Sequence, residues 1–190
     1  NLELTILPLD GGHAEYFAAA GPARDWLMDC GNTNSVEFVT RPFLRAQGVN
    51  RLPRLLLTHG DLKHVGGAEM LAAEFACRDI FASSFRFRSV AYRRSFANLQ
   101  RAPYQMQTLH RGDQVDPWYI LHPTKTDESA QADDGALVRR GVFHGVKILL
   151  LSDLGRGGQN LLLERETNQL RADIVVSGLP TQTEPLCEAL

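Results

Sequence analysis

Two histidines and one aspartate stand close together after a short apolar segment, and these residue types can bind a metal ion. His59, Asp61 and His64 follow residues 55–57, which are three leucines. Imidazole nitrogens and a carboxylate at positions i, i+2 and i+5 of a tight turn can converge on one divalent cation. A Gly-Gly pair comes next and indicates the start of a helix. The sequence therefore predicts a metal site in the loop between a buried strand and a helix.

Three further carboxylates stand at the predicted ends of strands. Asp29 and Asp153 each follow a predicted strand, and Asp134 lies just before one. Side chains on loops at strand ends, held by a rigid sheet, are where α/β enzymes usually place their chemistry. We therefore take these three carboxylates as candidate site residues.

The hydrophobic pattern predicts the elements that would position these residues. Strands are predicted over residues 2–7, 14–18, 25–28, 54–58, 79–82, 104–109, 118–121, 136–143, 146–151 and 172–176. Helices are predicted over residues 36–47, 70–75, 84–100 and 159–170, and a last helix is predicted to begin near Thr183. Pro42 would kink or restart the first of these helices. Strands first, then strands alternating with helices, predict a layered α/β or α+β domain.

Composition limits the class of protein. A chain of 190 residues with 44% hydrophobic residues predicts one domain, residues 1–190, with a core that needs no disulfides. A net charge of -2 gives no overall attraction to nucleic acid or to anionic membranes. No apolar segment of the sequence reaches the roughly 18 residues of a membrane span. The chain starts within a predicted strand and stops within a predicted helix, so we expect an excised fragment of a longer protein.

The segment from residue 86 to residue 111 contains six arginines and no acidic residue. Arginine binds phosphates and aromatic rings stack on bases, so this segment is a candidate nucleic-acid face. The candidate residues are Arg86, Arg88, Arg93 and Arg94. The alternative is an amphipathic helix with a solvated basic face and its aromatic residues in the core, and the tendency of helices to bury large apolar groups favours this alternative.

A glycine-rich segment over residues 155–158 precedes a predicted helix. Backbone amides at a helix start can cradle a phosphate. The segment lacks the full spacing of a nucleotide-binding loop, so a plain loop that leads into a helix is the favoured interpretation.

Five short segments follow one another along the chain: residues 39–49, 55–59, 121–123, 133–138 and 150–153. Taken in this order, they resemble the metallo-β-lactamase superfamily. The resemblance is strongest to the hydrolase-like domain of ComEC-type DNA-uptake (competence) proteins. Asp61 agrees with that family, which has His-x-Asp-x-Asp-His where the superfamily in general has His-x-His-x-Asp-His. The resemblance implies a four-layer αββα sandwich, truncated at its C-terminus.

The same resemblance implies a site and an activity. His59, Asp61, His64 and Asp153 would be the metal ligands, and Asp61 and Asp153 would also be catalytic. Asp29, Lys63 and Asp134 would modify the site without binding the metal. The implied activity is that of a metal-dependent hydrolase of the phosphodiesterase or nuclease type.

The resemblance also implies a cofactor and a cellular setting. The cofactor would be a divalent metal, Zn or Mn, and no small organic cofactor is expected. The partners would be DNA and the remainder of a membrane-embedded parent protein. The domain would then be an extracytoplasmic (periplasmic) part of an inner-membrane protein.

Two departures from the family pattern point to a partly degraded metal site. Lys63 stands where the family has an aspartate that binds the second metal. A +1 and a +2 charge about 4 Å apart repel by about 8 kcal/mol at an effective dielectric constant near 20. Residues 176–180 have no histidine where the family has His-His-Gly. We therefore expect one metal ion or none, with Lys63 neutralising Asp153 or a substrate phosphate in place of the second cation.

Two alternatives stay open on the sequence alone. The first is a non-catalytic module that keeps the fold and contacts DNA or a protein partner through the arginine-rich segment. The second is a hydrolase from another branch of the superfamily that acts on a small ester or thioester.

Overall fold

A computed structural model describes residues 2–18, 25–85, 87–101, 103–178 and 185–190. The chain divides into two compact units. The first unit contains Asn1–Ala82 and Phe87–Gln107, and the second contains Ser83–Arg86 and Thr108–Leu190. Among the described residues, no helix is both long and apolar enough to cross a membrane. The prediction of a single domain over residues 1–190 stays a prediction.

The first sheet has six strands that lie side by side in chain order. They are β1 (Glu3–Leu9), β2 (Gly12–Ala18), β3 (Trp26–Met28), β4 (Arg54–Leu57), β5 (Asp79–Ser83) and β6 (Gln105–Leu109). β2 runs antiparallel to both of its neighbours, β1 and β3, whereas β3, β4 and β5 run parallel to one another. Because Met28 pairs with Leu56, the chain leaves β3 and β4 at the same edge of the sheet. This edge holds Asp29 and His59.

The helix predicted over residues 36–47 is present but not uniform. It consists of α1 (Thr33–Ser35), a π-helical turn (Val36–Thr40) and α2 (Arg41–Ala46). Pro42 lies at the beginning of α2, where a missing N–H is tolerated, so the helix restarts as the proline predicted.

Two other helices of the first unit differ from prediction. Residues 59–64 were expected to form a loop before a Gly-Gly helix start, but α3 (Leu62–Val65) precedes that pair and α4 (Ala68–Glu74) follows it. The helix predicted over 84–100 is shorter, since α5 spans Val90–Leu99. Ser89 caps α5 by accepting a hydrogen bond from the backbone N–H of Tyr92, and this cap fixes where the helix begins.

The second unit contains a five-stranded sheet. Its strands, in spatial order, are β11 (Ile174–Ser177), β10 (Val146–Ser152), β9 (Val138–Phe143), β8 (Trp118–His122) and β7 (Gln114–Val115). The predicted hairpin turn between β9 and β10 is present, with positive φ at both His144 and Gly145. The helix α6 (Arg156–Glu166) lies against this sheet through Leu162, which belongs to the buried cluster of the unit. The last predicted helix, near Thr183, lies outside the described residues.

Candidate metal centre

Asp29 ties together the ends of β3 and β4. Its Oδ1 accepts a hydrogen bond from the Thr58 backbone N–H at 2.8 Å, and its Oδ2 accepts one from the Thr58 hydroxyl at 2.6 Å. The backbone N–H of Asp29 donates to the Leu56 carbonyl at 2.8 Å. Asp29 has a φ of 58°, a left-handed conformation that is rare for a residue other than glycine. Strained backbone of this kind is concentrated at functional sites, where the surrounding bonds hold it in place.

His59 is fully buried directly after Thr58. Its Nδ1 lies 2.8 Å from the Thr58 hydroxyl oxygen. Its ring centroid lies 4.4 Å from that of His64, with 53° between the ring planes. The two imidazoles are therefore close enough for one small ion to contact both.

His64 is also buried and is held from three directions. Its Nδ1 lies 3.4 Å from Oδ2 of Asp29. Its backbone carbonyl accepts hydrogen bonds from the N–H groups of Cys30 and Gly31, at 2.9 and 2.8 Å. A Cβ built on Gly12 would lie 2.2 Å from Cε1 of His64. The imidazole therefore packs directly on the backbone of β2, and only glycine at position 12 leaves room for it.

Asp61 forms the N-terminal cap of α3. Its Oδ1 accepts a hydrogen bond from the Lys63 backbone N–H at 2.9 Å, which uses one of its two carboxylate oxygens. A carboxylate oxygen of Asp61 also lies within 4.8 Å of a ring nitrogen of His59. The sequence pattern did not predict α3, although Asp61 before a short apolar and basic segment is a signal for a helix start.

Lys63 extends over the turn between β1 and β2. A Cβ built on Gly11, which has a φ of 83°, would lie 2.6 Å from Cδ and 3.3 Å from Nζ of Lys63. The ammonium group is therefore next to Gly11, one residue before the glycine that receives the His64 ring. This position gives the long side chain a defined place on the rim of the histidine cluster.

Asp29, His59 and His64 each offer a ligand atom within 4.8 Å of the other two. Asp29, however, holds its neighbouring residues and is not offered to a metal, because both of its carboxylate oxygens accept hydrogen bonds from Thr58. Burial alone would raise the pKa of the Asp29 carboxyl, but His64, His59 and Thr58 together outweigh burial and hold this pKa below its usual value. Asp29 is thus an ionised anchor, and the two histidines are the ligands that the geometry offers.

Cys30 follows Asp29 and is completely buried. Burial, followed by the nearby charge of Asp29, raises the pKa of its thiol. The thiol therefore stays protonated at neutral pH, as expected for a buried structural cysteine and not for a nucleophile.

In the second unit, Asp153 and Asp134 have different surroundings. Asp153 is buried directly after Ser152, which ends β10 with a φ of 52°. The prediction that Asp153 binds a metal stays a prediction. Asp134 accepts hydrogen bonds from the Ser129 hydroxyl at 2.6 Å and from the Gly158 backbone N–H at 3.1 Å. The carboxylate of Asp134 therefore lies at the glycine-rich start of α6, in the place where the sequence had left open a phosphate-binding loop.

The arginine-rich segment has the amphipathic arrangement. Arg88, Arg93 and Arg94 are exposed, whereas Arg86 lies outside the described residues. Phe87 and Tyr92 are buried and contact each other edge to face, with ring centroids 5.0 Å apart. These two rings are therefore unavailable for stacking on bases.

No protein-family model matches the sequence. ComE operon protein 3 of Bacillus subtilis (strain 168) is 24% identical over 146 residues, which is 75% of this chain and 19% of that protein. The chain thus spans about a fifth of the length of this curated relative.

Solved structures match over more of the chain. A metallo-β-lactamase with a HARLDQ motif from Cronobacter sakazakii has a TM-score of 0.60 at 15% identity, and BJP-1 of Bradyrhizobium japonicum, of subclass B3, has 0.60 at 13%. Each match covers 92% of this chain and 74% of the other. The metallo-β-lactamase fold protein YhfI from Bacillus subtilis has a TM-score of 0.55 at 13% identity, over 80% of this chain and 62% of its own.

At these identities the structural likeness establishes the fold and nothing more. This chain has the metallo-β-lactamase fold, with two mixed sheets, as the sequence resemblance predicted. Its sequence is distantly related to ComE operon protein 3, and it carries a buried cluster of histidine and aspartate that resembles a metal site.

Proposed function

We propose that this domain is a metal-dependent hydrolase of the phosphodiesterase type that uses one divalent cation, Zn or Mn. The observation that supports the proposal best is the buried cluster in which Asp29 and Thr58 hold His59 beside His64. Buried polar groups are costly unless they are fully hydrogen-bonded, so such a cluster is retained where it serves a site.

The donor set fits a cation of this kind. Imidazole nitrogens and carboxylate oxygens are the usual ligands of Zn and are also accepted by Mn. His59 and His64 would hold the cation, and Asp61 would add its second carboxylate oxygen. Asp29 would hold the histidines in place, as outer groups do in many metal sites.

The chemistry follows from the groups around the cation. A bound divalent cation would polarise the phosphodiester and lower the pKa of a water molecule. Asp61 is half-buried and could orient that water and accept its proton. Lys63, over Gly11, would attract the phosphate and take over the electrostatic role of a second cation.

A metal-binding experiment tests the cation, and a cleavage assay tests the reaction. Purified protein would be loaded with Zn²⁺ or Mn²⁺ and its metal content measured for wild type, His59→Ala and His144→Ala. His144, at the exposed tip of the β9–β10 hairpin, is the matched control. We expect about one equivalent of metal in wild type and in the control and a loss in His59→Ala. Hydrolysis of bis(p-nitrophenyl) phosphate and of DNA should follow the same order, and equal activity in all three proteins would contradict the proposal.

We further propose that the domain is part of a larger, membrane-embedded protein of ComEC type, on its extracytoplasmic side, with DNA as the substrate or cargo. The match to ComE operon protein 3 over 75% of this chain supports this setting. Replacing His59 in the complete parent gene should reduce DNA uptake if the metal centre serves transport. Unchanged uptake, with the protein present in the membrane, would contradict this setting.

A second candidate is a DNA-binding module without catalysis. The observation that favours it is the exposure of Arg88, Arg93 and Arg94. Because Phe87 and Tyr92 are buried, such binding would use phosphates and not base stacking. DNA affinity should then fall steeply with salt, and Arg93→Gln with Arg94→Gln should reduce the salt slope by about 2, whereas Arg51→Gln should not.

A further inference from the structure

We propose that Thr58 is a positioning residue that sets the tautomer of His59, so that the proton lies on Nδ1 and the lone pair lies on Nε2. Its importance for metal binding rests on the function proposed above, but the tautomer itself is a property of the metal-free chain. The hydrogen bonds around one hydroxyl group carry the inference.

The first step is the direction of the bond between Thr58 and Asp29. The Thr58 hydroxyl lies 2.6 Å from Oδ2 of Asp29, and an ionised carboxylate can only accept. Oδ1 of the same carboxylate accepts the backbone N–H of Thr58 at 2.8 Å, so both oxygens of Asp29 act as acceptors toward Thr58. The single hydroxyl proton of Thr58 is therefore directed at Asp29.

The second step is the bond between Thr58 and His59. With its proton directed at Asp29, the Thr58 oxygen can only accept from His59 Nδ1, which lies 2.8 Å away. A neutral imidazole has one N–H and one lone pair, so a proton on Nδ1 places the lone pair on Nε2. The opposite tautomer would bring two lone pairs together at this short distance.

The third step is the rigidity of Thr58. Its side chain is buried and its backbone N–H is bonded to Oδ1 of the same carboxylate at 2.8 Å. The hydroxyl cannot turn away from Asp29 without breaking a bond inside the core. The preference of His59 is therefore imposed by the fold before any ion arrives.

The same carboxylate also faces the second histidine. Nδ1 of His64 lies 3.4 Å from Oδ2 of Asp29, so Asp29 favours a proton on that nitrogen too. Asp29 thus acts on His64 directly and on His59 through Thr58. One buried charge would align both imidazoles for a cation.

The tautomer can be measured on the metal-free protein by long-range ¹H–¹⁵N NMR of the imidazole rings at neutral pH. The proteins are wild type, Thr58→Ser, Thr58→Val and the control Thr40→Val. Thr40 is a buried threonine of the same unit whose hydroxyl donates to the Cys30 carbonyl at 2.9 Å. We expect the Nδ1–H form of His59 in wild type, Thr58→Ser and Thr40→Val, and its loss in Thr58→Val. An Nε2–H form in wild type, or no change in Thr58→Val, would overturn the proposal. If Thr58→Val does not fold, Thr58→Ala replaces it.

Calorimetric titration with Zn²⁺ then separates this proposal from the proposed function. Loss of the hydroxyl should weaken metal binding about 10-fold to 100-fold, and Thr58→Ser should restore it. If the tautomer changes as expected but no protein binds metal, the proposed function fails and the assignment of Thr58 stands. If wild type binds metal and Thr58→Val binds it equally well, Thr58 has no positioning role.

Discussion

Asp29 and Thr58 are joined by two hydrogen bonds, from the backbone N–H of Thr58 to Oδ1 at 2.8 Å and from its hydroxyl to Oδ2 at 2.6 Å. The residues are 29 positions apart in the chain, yet the parallel pairing of β3 with β4 brings them together. These two hydrogen bonds hold the edge of the sheet and also hold Thr58, the residue that precedes His59. Structure and site therefore depend on the same contact.

Replacing Asp29 should therefore lower the stability of the protein as well as disturb the site. In Asp29→Ala, the buried N–H and hydroxyl of Thr58 lose their acceptor, and such losses cost about 1–3 kcal/mol each. We expect the free energy of unfolding in urea to fall by about 3 kcal/mol. Asp173→Ala is the control, because the Asp173 carboxylate accepts a backbone N–H bond from Lys147 at an exposed position. Equal losses in the two variants would contradict the central role of Asp29.

Much of the site was predictable because its signals are local. His59, Asp61 and His64 are close in sequence, and the strand before them is marked by three leucines. The contacts of Gly12 with His64 and of Gly11 with Lys63 were not predictable, since they join a hairpin to a helix about 50 residues away. The helix α3 was missed because four residues are too few to show a helical period.

In the arginine-rich segment, the sequence pattern predicted the start of the helix at the wrong residue. Its pattern was compatible with a helix from residue 84, but the structure starts α5 at Val90 because Ser89 caps it. A cap is a short signal that a regular apolar pattern can hide. The burial of Phe87 and Tyr92, in contrast, follows from the general tendency of aromatic residues to enter the core.

Gly12 should be sensitive even to alanine. A Cβ there would meet Cε1 of His64 at 2.2 Å, so the ring or the strand must move. We expect Gly12→Ala to lower stability by about 1–3 kcal/mol and to weaken Zn²⁺ binding, measured by urea unfolding and by calorimetric titration. Gly48→Ala is the control, because a Cβ at Gly48 meets nothing within 4 Å, although its φ of 75° makes alanine mildly unfavourable. Gly48→Ala should lose some stability while its affinity for Zn²⁺ stays unchanged. An unchanged affinity for Zn²⁺ in Gly12→Ala would contradict the packing argument.

His122 should make the second unit less stable at acidic pH. Burial lowers the pKa of its imidazole from the ordinary value of 6.5, and this effect outweighs the hydrogen bond between its Nε2 and the Asp134 carbonyl. The unfolded chain therefore binds a proton more readily than the folded one. The contribution of neutral His122 to stability is present above pH 6.5 and is lost as the pH falls through the lower folded value. Urea unfolding at pH 7.5 and at pH 5 should show a larger loss in wild type than in His122→Gln. The same loss in both proteins would assign the acid sensitivity to other groups.

Lys63 offers a direct test of why the site would hold one cation and not two. Its ammonium lies over Gly11, one residue before the glycine that receives the His64 ring, so its positive charge is at the rim of the cluster. Lys63→Asp exchanges this charge for a carboxylate, the group that divalent ions prefer. We expect the metal content to rise from about one to about two equivalents, measured after dialysis against Mn²⁺ or Zn²⁺. Lys125→Asp makes the same charge change at an exposed lysine of the second unit and should leave the content unchanged. If Lys63→Asp also leaves the content at one equivalent, the lysine is not what excludes the second ion, and the shortage of histidine ligands would have to explain the single site.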